Sequence, residues 1–433
     1  MPDARGERTL PRRMFGTMFR SLAVRNFRLF AVGQVVSVMG TWMMIIAQDW
    51  LVLGMSDDSA IALATVTALQ FTPLLLLTLY GGRLADRFDK RTLLLGANSA
   101  SGALALLMTP LVVTGLIELW HIYAFALCLG VVNALEVPTR MSFVSEMVGA
   151  DLLPNASALS AAYFNTARVA GPAVGGLLLA AVGPGAVMLV NAVSFTAAVT
   201  GLLMMRTEEL HRATSRTARG GVVDGLRYAA SRPDLLLPLS LVGVVGLFGM
   251  NFELTLPLLA RTVFDADPSA FGLLTSALAA GSLLAAFATT ARRGRPSTGV
   301  VVGSVLIFGA AESLTGLAPT FPAAMGLLFV TGFAALYFAQ AANHRVQLGS
   351  DPAYRGRVMA LYTVVFTGTT PFGALVIGWL SEELGVRAGL HAGGLAALLT
   401  GTAALVVEWR RVSSRSSRSY GRSGTNSQKK GKE

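Results

Sequence analysis

The chain has 433 residues, 53% of them hydrophobic and 14% charged, with a mean hydropathy of +0.59, a formal net charge of +11 and a single cysteine. That balance excludes a water-soluble globular domain and describes a chain whose outer face meets lipid, while the lone Cys128 excludes a disulfide framework or a multi-cysteine metal site. A pI near 10.4 would suit nucleic acid, but the cations are scattered over short connections instead of clustered on one domain, and that partner is excluded too.

A helix needs about 20 apolar residues to cross a bilayer. After an N-terminal segment, 1–28, the sequence predicts helix 1 over 29–55, helix 2 over 61–82, helix 3 over 93–117 and helix 4 over 119–145. The first of these is too long for the core of a signal peptide. The stretch 154–205 exceeds one crossing and divides at Gly183-Pro184-Gly185 into helices 5 and 6. A polar linker, 207–234, follows, with a short surface helix over 222–230. Helix 7 covers 235–260 and helix 8 covers 268–291; 298–344 divides at Pro319-Thr320-Phe321-Pro322 into helices 9 and 10. Helices 11 and 12 fall over 358–381 and 388–407, before a Ser-, Arg- and Lys-rich tail, 410–433, whose composition predicts disorder.

Of the 35 Lys and Arg residues, 32 fall before helix 1, on every second connection, or in the tail. Connections on the other side hold only Arg261 and Arg387, and Arg168 lies inside a helix. Cationic loops resist translocation, so the rich side is cytoplasmic and both termini are inside a multi-pass membrane protein. Arg outnumbers Lys 31 to 4 in an Ala- and Gly-rich chain, which points to a GC-rich bacterial genome and hence a bacterial cell membrane. Six helices, a linker and six more suggest duplication: an N-terminal bundle over 29–206 and a C-terminal bundle over 235–409. Tyr163 and Pro172 recur as Tyr362 and Pro371, each shifted by 199 residues. The fold class is an all-α membrane protein of twelve transmembrane helices in two pseudo-symmetric six-helix bundles.

The connection after helix 2 reads Gly82-Arg83-Leu84-Ala85-Asp86-Arg87-Phe88-Asp89-Lys90-Arg91. It resembles the signature loop of the major facilitator superfamily, Gly-x-Leu-Ala-Asp-Arg ending in basic residues, with Asp89 where a glycine is usual. Glycine at 82 lets helices approach closely, and Asp86 facing the positive end of another helix favours a closed cytoplasmic gate. Gly82, Asp86, Arg87, Lys90 and Arg91 are therefore the candidate gate; the alternative is that the cations only set topology. Helix 5 contains Gly171-Pro172-Ala173-Val174-Gly175-Gly176, which resembles the Gly-Pro-x-x-Gly-Gly pattern of the family's exporters. Its small residues admit a neighbouring helix against a proline bend, and a plain kink is the competing account.

Further segments, Arg25-Asn26-Phe27-Arg28-Leu29-Phe30, Gly40-Thr41-Trp42, Leu153-Pro154-Asn155-Ala156 and Arg355-Gly356-Arg357-Val358-Met359-Ala360-Leu361-Tyr362, are similar to the enterobactin-exporter-like group of the superfamily, the transmembrane secretion effector type. The resemblance covers nearly all of 25–409. It implies a proton-linked multidrug, siderophore or metabolite exporter, with helices 1, 4, 7 and 10 around the cavity and 3, 6, 9 and 12 as outer support.

Ionisable residues inside a membrane are costly and are functional candidates. Asp49 lies in helix 1, Glu136 in helix 4, Arg168 in helix 5, Glu253 in helix 7 and Glu312 in helix 9. The implied fold sets Glu312 aside on an outer helix. Asp49 and Glu253 fall at similar depths of repeat-related helices and are placed to face each other; an enclosed carboxylate that takes up a proton is what antiport requires. Arg168 needs a counter-charge from Glu136 or Asp49, unless Glu136 pairs with Arg140 one turn along. On helix 10, Asn343 and His344 either touch substrate or bond between helices, and His344 lies toward the cytoplasmic end as a proton exit.

No Gly-x-x-x-x-Gly-Lys-Ser/Thr loop occurs, so no ATP or other cofactor is expected, and the proton gradient is the energy source. The expected activity is antiport of a small amphipathic molecule by a monomer whose partners are lipid, cargo and protons. Import or facilitated diffusion is the alternative. A membrane sensor lacks its soluble domain here, and a transferase needs facing acidic motifs that Asp57-Asp58, Glu208-Glu209 and Glu382-Glu383 do not make.

Overall fold

A computed structural model describes residues 19–211, 222–290, 292 and 294–429, and every regular element within them is helical. The basic residues 5, 8, 12, 13, 212, 216, 219, 293, 430 and 432 used to orient the chain lie outside this set. The helices are α1 (Arg25–Met55), α2 (Ala60–Arg87) and α3 (Lys90–Val113), then a run Leu119–Leu203 of 85 residues. At 1.5 Å per residue that run would measure about 130 Å, four bilayers' worth of hydrocarbon. It is divided where Gly149 and Gly183 take left-handed backbone, φ 71° and 79°, a conformation glycine adopts without a Cβ penalty. The pieces are α4 (119–148), α5 (150–182) and α6 (184–203).

A linker helix, Val222–Ala230, matches the predicted surface helix. The second half holds α7 (Pro233–Val263), α8 (Pro268–Thr290), α9 (Thr298–Gly316), α10 (Phe321–Gly349), α11 (Arg355–Leu384) and α12 (Val386–Lys429). Twelve crossings result among the described residues, as the apolar runs predict. Two spans are not continuous. α7 unwinds at 249–251 and re-forms as Phe252–Leu258 and a π turn, Leu259–Val263, and α11 breaks between Gly368 and Thr370. The tail departs from expectation: α12 stays helical to Lys429, since extending an already nucleated helix needs only propagation.

Chain ends of the spans identify two faces. Asn26 at the start of α1 exchanges hydrogen bonds with Arg206 past the end of α6, at 2.9 and 3.0 Å, and Asp234 at the start of α7 pairs with Arg295 before α9 at 2.9 Å. These mark the basic face; the far face lies opposite. Packing differs between them. Toward the basic face each half has its own core, one around Phe27, Phe30, Phe143 and Met147, the other around Phe308, Phe338, Val301 and Val346. Toward the far face a single core runs across both halves, from Met44, Leu53 and Leu63 through Leu256, Phe271 and Ile377. The halves are thus joined at one end and separate at the other.

Glycine makes the join possible at two seams. A Cβ on Gly176 in α5 would stand 2.7 Å from the Pro268 carbonyl and 3.1 Å from the Gly272 Cα of α8, so these two backbones touch. Where α11 meets α2, Gly378 leaves the same room for Ala64.

Candidate transport cavity

Between the halves lies a cavity of about 550 Å³. Asp49, Arg168 and Glu253 all line it, from α1, α5 and α7. Most of its remaining wall is apolar and aromatic, with Trp42, Phe71, Phe164, Phe252, Phe271 and Phe366 from six different helices. The break in α7 forms part of this wall, because Met250, Asn251, Phe252 and Glu253 all face inward. Discontinuous helices at a membrane midplane expose backbone only where it lines a cavity or is buried in protein.

The three charged groups act on one another through the cavity. Glu253 is the charge that Arg168 feels, and it also interacts with Asp49. None of the three closes an ion pair within 4.0 Å among the described residues, and Asp49 Oδ2 is buried without a hydrogen-bond partner. Two acids and one guanidinium in a pocket with mainly apolar walls, Asp49 buried, Arg168 half-buried and Glu253 open to the cavity, leave one surplus negative charge when all are ionised, which a cation or proton would neutralise.

Other expected site residues lie elsewhere. Glu136 is bound to Arg140 at 2.9 Å, one turn along α4, and Arg140 stacks over Phe164 at 5.8 Å; α4 contributes nothing to the cavity wall. The counter-charge to Arg168 therefore comes from Glu253 on α7. Asn343 is half-buried and off the cavity wall, beside Tyr362 of α11, whose hydroxyl donates to the Ala339 carbonyl of α10 at 2.9 Å. His344 is half-buried nearer the basic face and off the cavity wall.

The loop after α2 separates into parts. Gly82 has open space around it, and the close approach to α4 is made by Gly81, whose Cβ position falls on the Ala134 carbonyl. Asp89 caps α3, accepting from the Thr92 amide at 2.8 Å. Lys90 forms a buried pair with Glu146 of α4, and Arg91 donates to the Leu202 and Leu203 carbonyls at the end of α6 at 2.7 and 3.1 Å. Asp86 and Arg87 are exposed, and Asp86 has no hydrogen bond or ion pair among the described residues. On helix α5 the glycines of the Gly-Pro motif are packing sites: a Cβ on Gly171 would lie 2.5 Å from Trp42 and one on Gly175 2.8 Å from Met43, both on α1, while Gly176 meets α8. Pro172 causes no break there.

At the far face the two halves are joined by contacts that no motif in the sequence marks. Glu382 at the end of α11 reaches across to the start of α2, accepting from the Ala60 and Ile61 amides at 2.6 and 3.2 Å and from the Ser59 hydroxyl at 3.2 Å. Arg261, carried on the π turn of α7, pairs with Asp58 at 2.5 Å, stacks over Trp50 at 5.2 Å and donates to its carbonyl at 3.5 Å. At the level of the cavity, beside Arg168, Ser276 of α8 donates to the Val169 carbonyl of α5 at 2.7 Å. The only available signal was the adjacent acids Asp57-Asp58 and Glu382-Glu383 at the ends of their helices, facing the two cations of the far side.

Residues 16–427 match the family described as transmembrane secretion effector. The chain belongs to this family of major facilitator transporters. Its relatives include the multidrug efflux pump Tap of Mycobacterium tuberculosis, 27% identical over 398 residues and covering 87% of this chain and 91% of the pump. The staphyloferrin A transporter of Staphylococcus aureus is 24% identical over 365 residues, covering 80% and 87%. Among solved structures, a bacterial homologue of the lysosomal transporter Spinster, inward-facing and unoccupied, superposes with a TM-score of 0.69 at 14% identity, covering 88% of this chain and 95% of its own. The nucleoside transporter NupG gives 0.68 at 11%, covering 90% and 99%. As a secretion effector this chain is a multi-pass membrane transporter of the major facilitator fold and not an enzyme.

Proposed function

We propose that this transporter exports a small amphipathic molecule, a drug, siderophore or secondary metabolite, by proton antiport with alternating access. One observation carries this: Asp49, Arg168 and Glu253 meet in an aromatic cavity enclosed by both halves of the chain. One proton makes the trio neutral; its departure leaves a negative charge in an apolar pocket, so proton and cargo compete for the same carboxylates. Relatives that include a multidrug efflux pump and a siderophore transporter fit a cargo of that kind. The basic face is the cytoplasmic one by the charge bias of its loops, which puts both termini inside a bacterial cell membrane. The cavity is then closed to the outside, by Glu382 and Arg261, and the separate inner cores leave the halves apart toward the cytoplasm. Both halves of the site come from one chain, so a monomer suffices.

Transport in oriented vesicles under an imposed pH gradient tests the proposal. Glu253→Gln and Asp49→Asn are expected to uncouple export from the gradient at unchanged protein level. Full gradient-driven export in both variants would remove the carboxylates from the mechanism, and cargo counterflow indifferent to orientation would favour facilitated diffusion.

A further inference from the structure

The most deeply buried acid among the described residues does not line the cavity. Glu312 of α9 is 2% exposed, and among the described residues its Oε2 has no hydrogen-bond partner and no cation stands within ion-pair distance. Its carboxyl fills a space kept open by glycines of two other helices. A Cβ on Gly249 of α7 would lie 3.1 Å from Oε2, and one on Gly393 of α12 would lie 2.6 Å from Oε1 and 2.7 Å from the Phe248 carbonyl oxygen. Glu312 Oε1 and the Phe248 oxygen therefore converge over the same Cα. Phe248 is the last residue before α7 unwinds, so the break releases its carbonyl from the Phe252 amide that a continuous helix would supply. Two acceptors beside the same Gly393 position, neither with a donor among the described residues, are unfavourable when buried; one proton between them supplies a hydrogen bond.

α12 also brings the means of delivery. The ring of His391 packs on Gly316, with Cε1 2.8 Å from its Cβ position, and Gly316 is one turn outward from Glu312 on α9. Along α12, His391 is two residues from Gly393 and half-buried. Beyond it Arg387 binds the Gly316 and Ala318 carbonyls at 2.9 and 3.0 Å, at the far face. Around Glu312, α7 offers backbone, with Glu253 turned into the cavity; α9 offers Ser313, whose hydroxyl abuts Gly394 and makes no hydrogen bond among the described residues; and α10 offers the Thr331 hydroxyl, which is bonded to Thr315.

We propose that Glu312 is a second proton-binding site, separate from the cavity, which holds its proton in a hydrogen bond to the Phe248 carbonyl at the α7 break and is filled from the outside through His391. A proton taken up on an imidazole nitrogen has one helical turn to cover from Gly316 to Glu312, and its arrival on the carboxylate leaves the ring neutral, so no charge stays behind in the path. Rewinding of α7 would return the Phe248 carbonyl to the Phe252 amide and deprive the acid of its acceptor, which links occupancy of this site to the shape of the helix that carries Glu253. The inference does not depend on cargo or transport direction.

Infrared difference spectroscopy of the full-length protein in lipid, cycled between neutral and alkaline pH in an Asp49→Asn, Glu253→Gln background, tests it. The carbonyl stretch of a protonated carboxylic acid is expected at neutral pH, shifted when glutamate is isotope-labelled and lost on adding Glu312→Gln. Labelling assigns the band to a glutamate, and Glu312→Asp, which keeps an acid on a shorter stem, is expected to move the band without abolishing it; an unmoved band in Glu312→Asp overturns the site even if the Gln variant fails to fold. Absence of the band in the background protein, failure to shift on labelling, or persistence in folded Glu312→Gln overturns the site. In His391→Asn the band is expected to exchange into deuterium more slowly; unchanged exchange overturns the route.

Discussion

Replacing Glu382 by alanine should loosen the outer closure without unfolding either half. Its Oε2 accepts three hydrogen bonds at the first turn of α2, two from helix amides and one from Ser59. A carboxylate capping a helix N-terminus contributes about 1 kcal/mol when partly solvated, and Glu382 is exposed, so that modest value applies and not the larger one for a buried charge. α2 keeps its own cap, since Ser59 Oγ accepts from the Ala62 amide at 3.2 Å, and the loss therefore falls on the state closed at the far face alone. About 1 kcal/mol changes the ratio of closed to open molecules about fivefold. The lone Cys128 makes the measurement clean: in a Cys128→Ala background, spin labels at Leu116→Cys and Leu384→Cys report the separation of the halves at the far face. Glu382→Ala should raise the population of long distances about fivefold, with Glu382→Gln in between because its amide keeps an acceptor but no charge. An unchanged distance distribution in Glu382→Ala would refute the latch.

Lys90→Ala strands Glu146, 7% exposed, without its partner and should lower unfolding stability by about 3–5 kcal/mol, much of it recovered when Glu146→Leu accompanies Lys90→Met, as read by thermal denaturation in detergent. Gly176→Leu forces α5 off the Pro268 and Gly272 backbone of α8 and should cost about 1–3 kcal/mol with loss of transport, whereas Gly96→Ala, with open space around it, should be neutral or slightly stabilising. The Asp267 carboxyl, bound first by the Ser269 hydroxyl and then by the Ala270 amide, is held below the usual carboxylate range. A depressed acid stabilises above its unfolded value and loses that contribution as pH falls through the folded one, so the melting temperatures of the native protein and Asp267→Asn should differ at neutral pH and converge in acid.

Much of the architecture was legible from residues alone, because lipid forces every crossing to be a helix of nearly fixed length and to declare itself as an apolar run. The splits at Gly183 and at 317–320 and the surface helix 222–230 fell where predicted. The unwinding of α7 at 249–251 did not show, since Gly249 and Asn251 are unremarkable in a run that remains apolar throughout. Within the candidate site, Asp49, Arg168 and Glu253 stood out because a charge inside a hydrophobic run is rare. Glu136, equally conspicuous, proved to be spoken for by Arg140.

Sequence by itself determined the solvent, the number of crossings, the family and the short roster of enclosed charges, all of which depend on composition and near-neighbour pattern. Only the tertiary structure decided which charges share a cavity, that Gly81 and not Gly82 makes the close approach, that Glu382 binds a helix end more than 320 residues away in the chain, and that Glu312 lies behind the break in α7. Those facts depend on which helix faces which, and helix-to-helix contacts set by single glycines and single hydrogen bonds leave no periodic trace along the chain.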